Sequence, residues 1–326
     1  MKKGINIIIY SVLALAVIFG NISIIKFIIN DKEIMSMAEA TKEPVIMPTE
    51  TPEISYHVLV NELPVFKYNT ISENKTKDAI MGKYFYGDKI KTKSQKDGQI
   101  YTQTEDGCYV WSSCIGSLPE DNSLNSQRPE VIVIDAENQE NKETGAKQAA
   151  LAETATNSSI QENSLNFKIA QKIKEKLEEN GYIAIINTDI NININGEYMA
   201  GLANQIKADA MVSICFGSAA RKKRNGTTVY CSTRNNQNIK KKKYLRNKLL
   251  AKNILEAYTK ETGFNGRGVK ESDNYPSINC CKIPMAIIEM GYITNKRDYN
   301  KMNNSGFQDK MAEGIVNGIK RYLISL

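Results

Sequence analysis

Few residues in this chain can do chemistry unaided. One histidine, His57, occurs in 326 residues. Any mechanism that needs two histidines is excluded, and a Ser-His or Cys-His pair would have to use His57, which lies beside a proline-containing stretch. There are six cysteines: Cys108, Cys114, Cys215, Cys231, Cys280 and Cys281. None stands in a C-x-x-C spacing, and the count is too low for a dense disulfide framework. Cys108 and Cys114 are placed either to pair across a hairpin or to stay free. Two basic runs, Arg221-Lys222-Lys223-Arg224 and Lys240 to Lys243, offer cations to anionic wall polymers or lipid headgroups, or serve equally as solvated charge at a loop and a helix start. The net charge of +7 permits attraction to an anionic surface. With no RNA-binding aromatic motif, zinc-finger spacing or phosphate-cradling glycine loop, nucleic acid is not expected as a partner.

These residues must be held by elements, and the chain changes character several times. Residues Gly4 to Ile25 form an apolar run behind Lys2 and Lys3. About 20 helical residues at roughly 1.5 Å each span a bilayer core of about 30 Å. Residues 1–30 therefore read as a transmembrane anchor, and the basic flank puts the C-terminal part outside the cell membrane in a single-pass arrangement. A rival cleavage signal, Ala38-Glu39-Ala40, sits too far past the apolar run for a signal peptide. Residues 31–55 carry Pro44, Pro48 and Pro52 and read as an extended linker. Residues 56–115 alternate short β-rich runs with turn signals, the mark of a small all-β barrel whose Trp111 and tyrosines serve a ligand or the core. Residues 116–128, with Pro119, form a second linker.

From residue 129 to 326 strands alternate with helices. Val131 to Asp135 is an apolar run ending in an acid. Asn166 to Glu179 is amphipathic through Phe167, Ile169, Ala170, Ile173 and Leu177, and Gly181 ends it. Strands are expected at Tyr182–Ile186, Ala210–Cys215 and Pro284–Glu289. Helices are expected at Tyr198–Lys207, Tyr244–Thr262 (closed by Gly263) and Phe307–Leu323. Buried strands alternating with helices make an α/β layer fold.

Two resemblances follow from these residues. Ile80-Met81-Gly82, Tyr86-Gly87-Asp88-Lys89-Ile90 and Gly107-Cys108-Tyr109-Val110-Trp111 resemble the bacterial SH3-like domain of cell-wall proteins. Five motifs in order resemble the zinc-dependent N-acetylmuramoyl-L-alanine amidases. They are Val133-Ile134-Asp135, Glu162 with Leu165 to Ala170, Ala203-Asn204 with Ala208 to Ile214, Arg267 to Lys270, and Pro284 to Asn295. That family implies a mixed twisted sheet flanked by helices and cleavage of the amide between N-acetylmuramic acid and L-alanine. It also implies a zinc ion held by two histidines and a glutamate, with a second glutamate assisting proton transfer.

Carried over position by position, the resemblance implies a broken site. Asn138, in Ala136-Glu137-Asn138-Gln139-Glu140, stands where the first histidine belongs, and the turn has lost its glycines. Glu162 keeps the glutamate ligand. Cys215, in Ser213-Ile214-Cys215, replaces the second histidine. Glu289 keeps the catalytic position. An amide oxygen is a poor zinc ligand, so Asn138, Glu162 and Cys215 offer two credible donors and one weak one. Zinc lowers the pKa of bound water from about 15.7 to about 7, worth roughly 12 kcal/mol. A general base alone supplies about 100- to 10,000-fold, so Glu289 by itself does not replace the metal. Either Cys215 as a nucleophile or a thiolate cluster completed by Cys280 or Cys281 would be an escape. The segment from Glu140 to Glu162 reads as a loop or helix insert.

Three functions fit. The first is a non-catalytic homologue that needs no cofactor and binds peptidoglycan, wall peptides or a protein partner. The second is an active amidase with a rearranged metal or thiol site, loaded with zinc. The third is a structural docking protein.

Overall fold

The computed structural model describes residues 54–67, 80–93, 100–118, 128–136, 155–186 and 195–326, with side chains of the first helix described from Leu165 onward. The anchor at 1–30, most of both linkers, Asn138 and the Glu140–Glu153 part of the expected insert lie outside the described residues.

Among its described residues the N-terminal part holds seven short strands: β1 (Ile54–Val58), β2 (Glu62–Phe66), β3 (Ile80–Phe85), β4 (Lys89–Thr92), β5 (Tyr101–Gln103), β6 (Tyr109–Trp111) and β7 (Ile115–Gly116). They form two antiparallel sheets, ordered β4-β1-β7 and β3-β2-β6-β5. Gly87 and Gly107 sit in turns at φ 87° and 88°, a region that disfavours side chains. Val58, Leu63, Val110 and Ile115 are fully buried at the centre. Trp111 packs edge-on to Phe66 at 4.9 Å, so this tryptophan is a core residue. Cys108 and Cys114 are not joined by a disulfide, and Cys114 is buried.

The remainder is an α/β sandwich. Its strands are β8 (Val131–Ala136), β9 (Ile183–Ile186), β10 (Ala210–Gly217), β11 (Thr227–Cys231), β12 (Gly266–Glu271) and β13 (Met285–Tyr292). The helices are α1 (Ala155–Glu179), α2 (Gly196–Gln205), α3 (Lys241–Thr262), α4 (Pro276–Cys280), α5 (Lys296–Met302) and α6 (Ser305–Ile324). The sheet order is β12-β11-β13-β10-β8-β9. β9, β8, β10 and β13 run parallel, whereas β11 is antiparallel to β13 and parallel to β12. The sheet is therefore mixed, as expected, but it has two strands more than the apolar runs announce. Thr227-Thr228-Val229-Tyr230-Cys231 and Gly266 to Glu271 lack a continuous apolar stretch, and β12 is a partly exposed edge.

Period-two alternation divides the sheet between two cores. Ile132, Ile134, Val212, Ile214, Ile288 and Met290 face α1, α3 and α6. Helices α3 and α6 approach closely because a Cβ on Gly318 would lie 2.5 Å from Ile254 Cα, and one on Gly314 2.8 Å from Tyr258 Cα. Val131, Val133, Met211, Cys215, Met285 and Ile287 face the other way, into a core shared with α2 and the N-terminal strands.

That shared core makes Ile54–Leu326 one compact unit. Trp111 Nε1 donates to Tyr198 Oη on α2 at 2.8 Å, and the Tyr101 and Tyr198 hydroxyls are bonded at 2.8 Å. Asn61 Nδ2 donates to the Lys207 carbonyl at 2.6 Å, and Lys207 pairs with Glu62.

Candidate functional site

In open α/β sheets, ligand sites form beyond the carboxyl ends of parallel strands. Here β8, β10 and β13 end side by side on the face opposite α1, α3 and α6. Ser213 lies across from Asp135 and Ile287, and Cys215 lies across from Glu289. Ser213 Oγ donates to Asp135 Oδ2 at 2.8 Å, and both residues are buried. Helix α2 begins against this pair: a Cβ on Gly196 would stand 3.3 Å from Asp135 Oδ2.

Glu289 is the centre of the arrangement. Its side chain is 9% exposed, and its Oε2 accepts from Tyr230 Oη and Tyr292 Oη, each at 3.3 Å. Burial first, then the Glu289 carboxylate, pushes both tyrosine hydroxyls above their ordinary range. They stay protonated and keep donating at any physiological pH. The backbone carbonyl of Glu289 is held by Thr227 Oγ1 at 2.7 Å. Thr228, opposite Glu289 in the ladder, is fully buried, and its hydroxyl has no hydrogen-bond partner among the described residues.

The position of Tyr292 is dictated by its surroundings. A Cβ on Gly217 would lie 2.7 Å from the Tyr292 ring, so a glycine at this strand end makes room for it. The backbone N–H groups of Tyr292 and Gly226 both donate to Asp298 Oδ2, at 3.1 and 2.9 Å. The Arg224 guanidinium lies 5.2 Å from the centre of the same ring. Lys270 stands 5.9 Å from the ring of Tyr230, which also packs against Tyr275 at 5.1 Å.

The structure thus brings Cys215 and Glu289 together. Cys215 is fully buried and its Sγ donates to the Ile288 carbonyl at 3.6 Å. Glu162 falls on helix α1, with its side chain outside the described part, and Asn138 is outside it altogether. His57 belongs to β1, paired with Lys89 and Gly116. Cys281 Sγ donates to the Ile283 carbonyl at 3.4 Å, and Cys280 Sγ to the Ser277 carbonyl at 3.6 Å. Among the described residues, no group of three or more His, Cys, Asp and Glu side chains is placed to hold a metal ion. Tyr230 and Tyr292 were not anticipated as site residues from the sequence, whereas Arg224 belongs to the first basic run singled out there. Tyr292 follows Glu289 by three residues, a faint signal, whereas Tyr230 arrives from a strand that no apolar run marks.

Comparison with known proteins decides the family. The sequence pattern of the N-acetylmuramoyl-L-alanine amidases matches residues 132–321. The chain belongs to this family. Among its relatives, the Bacillus subtilis (strain 168) protein YqiI is 28% identical over 168 residues, which cover 52% of this chain and 77% of YqiI. The probable cell wall amidase LytH of Staphylococcus epidermidis is 27% identical over 230 residues, 70% of each chain. The crystal structure of an N-acetylmuramoyl-L-alanine amidase from Clostridium difficile 630 covers 61% of this chain and 99% of its own at 26% identity, with a TM-score of 0.50. The amidase fold accounts for β8 to α6. Strands β1 to β7 lie outside the matched residues. Zinc dependence is what membership in the amidase family implies.

Proposed function

We propose that this protein is a membrane-anchored, extracytoplasmic amidase homologue that binds peptidoglycan or its peptides without hydrolysing them. In this reading residues 1–30 are the anchor, 31–55 and 116–128 are linkers, 56–115 is an SH3-like domain and 129–326 is the amidase-like domain. The observation that carries it is the surroundings of Glu289. Its carboxylate is occupied by two protonated tyrosine hydroxyls, and its neighbour across the ladder is a buried thiol that donates to a backbone carbonyl.

Zinc does not fit this donor set. A cysteine binds zinc as thiolate, whereas Cys215 is fully buried with its Sγ 3.6 Å from the Ile288 carbonyl oxygen, where a thiolate would face a lone pair instead of a donor. The one histidine of the chain belongs to β1. Asn138 would contribute an amide oxygen, which suits harder ions. No step is therefore routed through a metal, and Glu289 is left as a buried carboxylate hydrogen-bonded by two tyrosines.

Purified protein, assayed for bound metal and for release of L-alanine-bearing peptides from peptidoglycan, tests this. The expected result is binding to sacculi with no equimolar zinc and no release. Equimolar zinc together with release would refute the reading and return Glu162 and Cys215 to the role of ligands. No binding to sacculi would favour a docking protein.

A further inference from the structure

Several cations elsewhere in this molecule have carboxylate partners. Arg128 holds Asp209, Lys172 holds Asp309, Lys176 holds Glu313 and Lys248 holds Glu271. Three cations beside Glu289 do not. Arg224, Arg267 and Lys270 form no ion pair among the described residues. Arg224 lies against the face of Tyr292, and its buried Nε has no hydrogen-bond partner among them. Arg267 Nη1 donates to the Asn225 carbonyl at 3.4 Å, which sets it beside Arg224 on the β10–β11 loop. Lys270 pairs in register with Tyr230 and stands over its ring.

The Tyr230 and Tyr292 hydroxyls donate to the Glu289 carboxylate, while Arg224 stands over the Tyr292 ring and also bonds its hydroxyl, and Lys270 stands over the Tyr230 ring. The result is a positive rim around a buried acid, supplied by the β10–β11 loop and by edge strand β12. Guanidinium groups engage carboxylates through paired N–H donors, and an aromatic face holds the cation without neutralising it. A buried Nε with no acceptor leaves a donor that an incoming oxygen can satisfy.

We infer that Arg224, Arg267 and Lys270 form a subsite for a free carboxylate of a wall peptide, seated on the Tyr292 and Tyr230 rings beside Glu289. The inference rests on the peptidoglycan-binding reading and adds to it a ligand group and the residues that select for it. It also gives part of the first basic run a specific task.

The test uses the full chain in detergent and two synthetic peptides of L-Ala, D-Glu and L-Lys, one with free carboxylates and one with both amidated. Calorimetry at low salt is expected to show the free acid binding about 10- to 100-fold more tightly, with the preference shrinking as salt rises. Arg267→Gln, at an exposed position, should remove about tenfold of that preference with an unchanged unfolding midpoint, and Arg224→Gln should remove at least as much. Equal affinity for the two peptides while sacculi are still bound would overturn the subsite and leave the wall-binding reading intact. A retained preference for the free acid without sacculus binding would support the subsite and refute that reading. Loss of both would refute both.

Discussion

Replacing Tyr198 by phenylalanine should weaken the seal between the β-strands of the N-terminal part and helix α2. The Tyr198 hydroxyl accepts from Trp111 Nε1 and is bonded to Tyr101 Oη, both at 2.8 Å. Trp111 is 4% exposed and Tyr101 9%, so water does not readily replace the lost oxygen. An unpaired buried N–H costs about 1–3 kcal/mol, and the second bond contributes about 0.5–1.5 kcal/mol. The sum is about 2–4 kcal/mol. At about 2–4 °C per kcal/mol for a unit of roughly this size, the unfolding midpoint should fall by about 4–16 °C. The assay is direct, because Trp111 is the sole tryptophan and its emission reports on the aromatic cluster that includes this contact. In the wild type, thermal transitions followed by tryptophan emission and by far-ultraviolet circular dichroism should coincide, as one cooperative unit requires. A Tyr198→Phe variant with an unchanged midpoint and unchanged emission would refute the argument. So would a wild-type emission transition that clearly precedes the loss of helix.

Other perturbations give equally definite expectations. Gly217→Ala places a Cβ against the Tyr292 ring and should cost about 1–3 kcal/mol in urea unfolding, with weaker peptide binding because the ring is pushed off Glu289. Lys207 and then Lys83 hold the Glu62 carboxyl below its ordinary 4.5. Its ion pairs are thus complete above about pH 4.5 and are lost as pH falls through the lowered folded value, so Glu62→Gln should reduce the midpoint near pH 7 by an amount that shrinks progressively as pH is taken down below 4.5. In native protein a thiol reagent at pH 8 should modify Cys280 first, while Cys281, whose thiol burial pushes up to about 11, reacts only after unfolding. Mass spectrometry of the labelled peptides separates the two.

The apolar runs at Val131 to Asp135, Ala210 to Cys215 and Pro284 to Glu289 were legible as strands because both of their faces are buried, which leaves an unbroken hydrophobic signal. The helix ending at Gly263 was legible for a local reason too: that glycine takes φ 64° and its N–H caps Thr259. Strands β11 and β12 were not legible. β11 owes its place to pairing with β13 on one side and β12 on the other, which no run within its own five residues encodes. Trp111 was left open between ligand binding and core, and its bond to Tyr198, 87 residues away, settles it as core.

The sequence by itself determined the four parallel strands, the main helices, the family, and the absence of a second histidine, since these depend on local periodicity and composition. Tertiary structure alone decided what surrounds Glu289. Tyr230, Tyr292, Arg224 and Lys270 come from separate strands and loops, and they meet because an antiparallel strand enters the sheet beside β13 and because Gly217 leaves space for a ring. Register and close approach are properties of the packed sheet, so the chemistry of this acid became readable once its neighbours across the ladder were known.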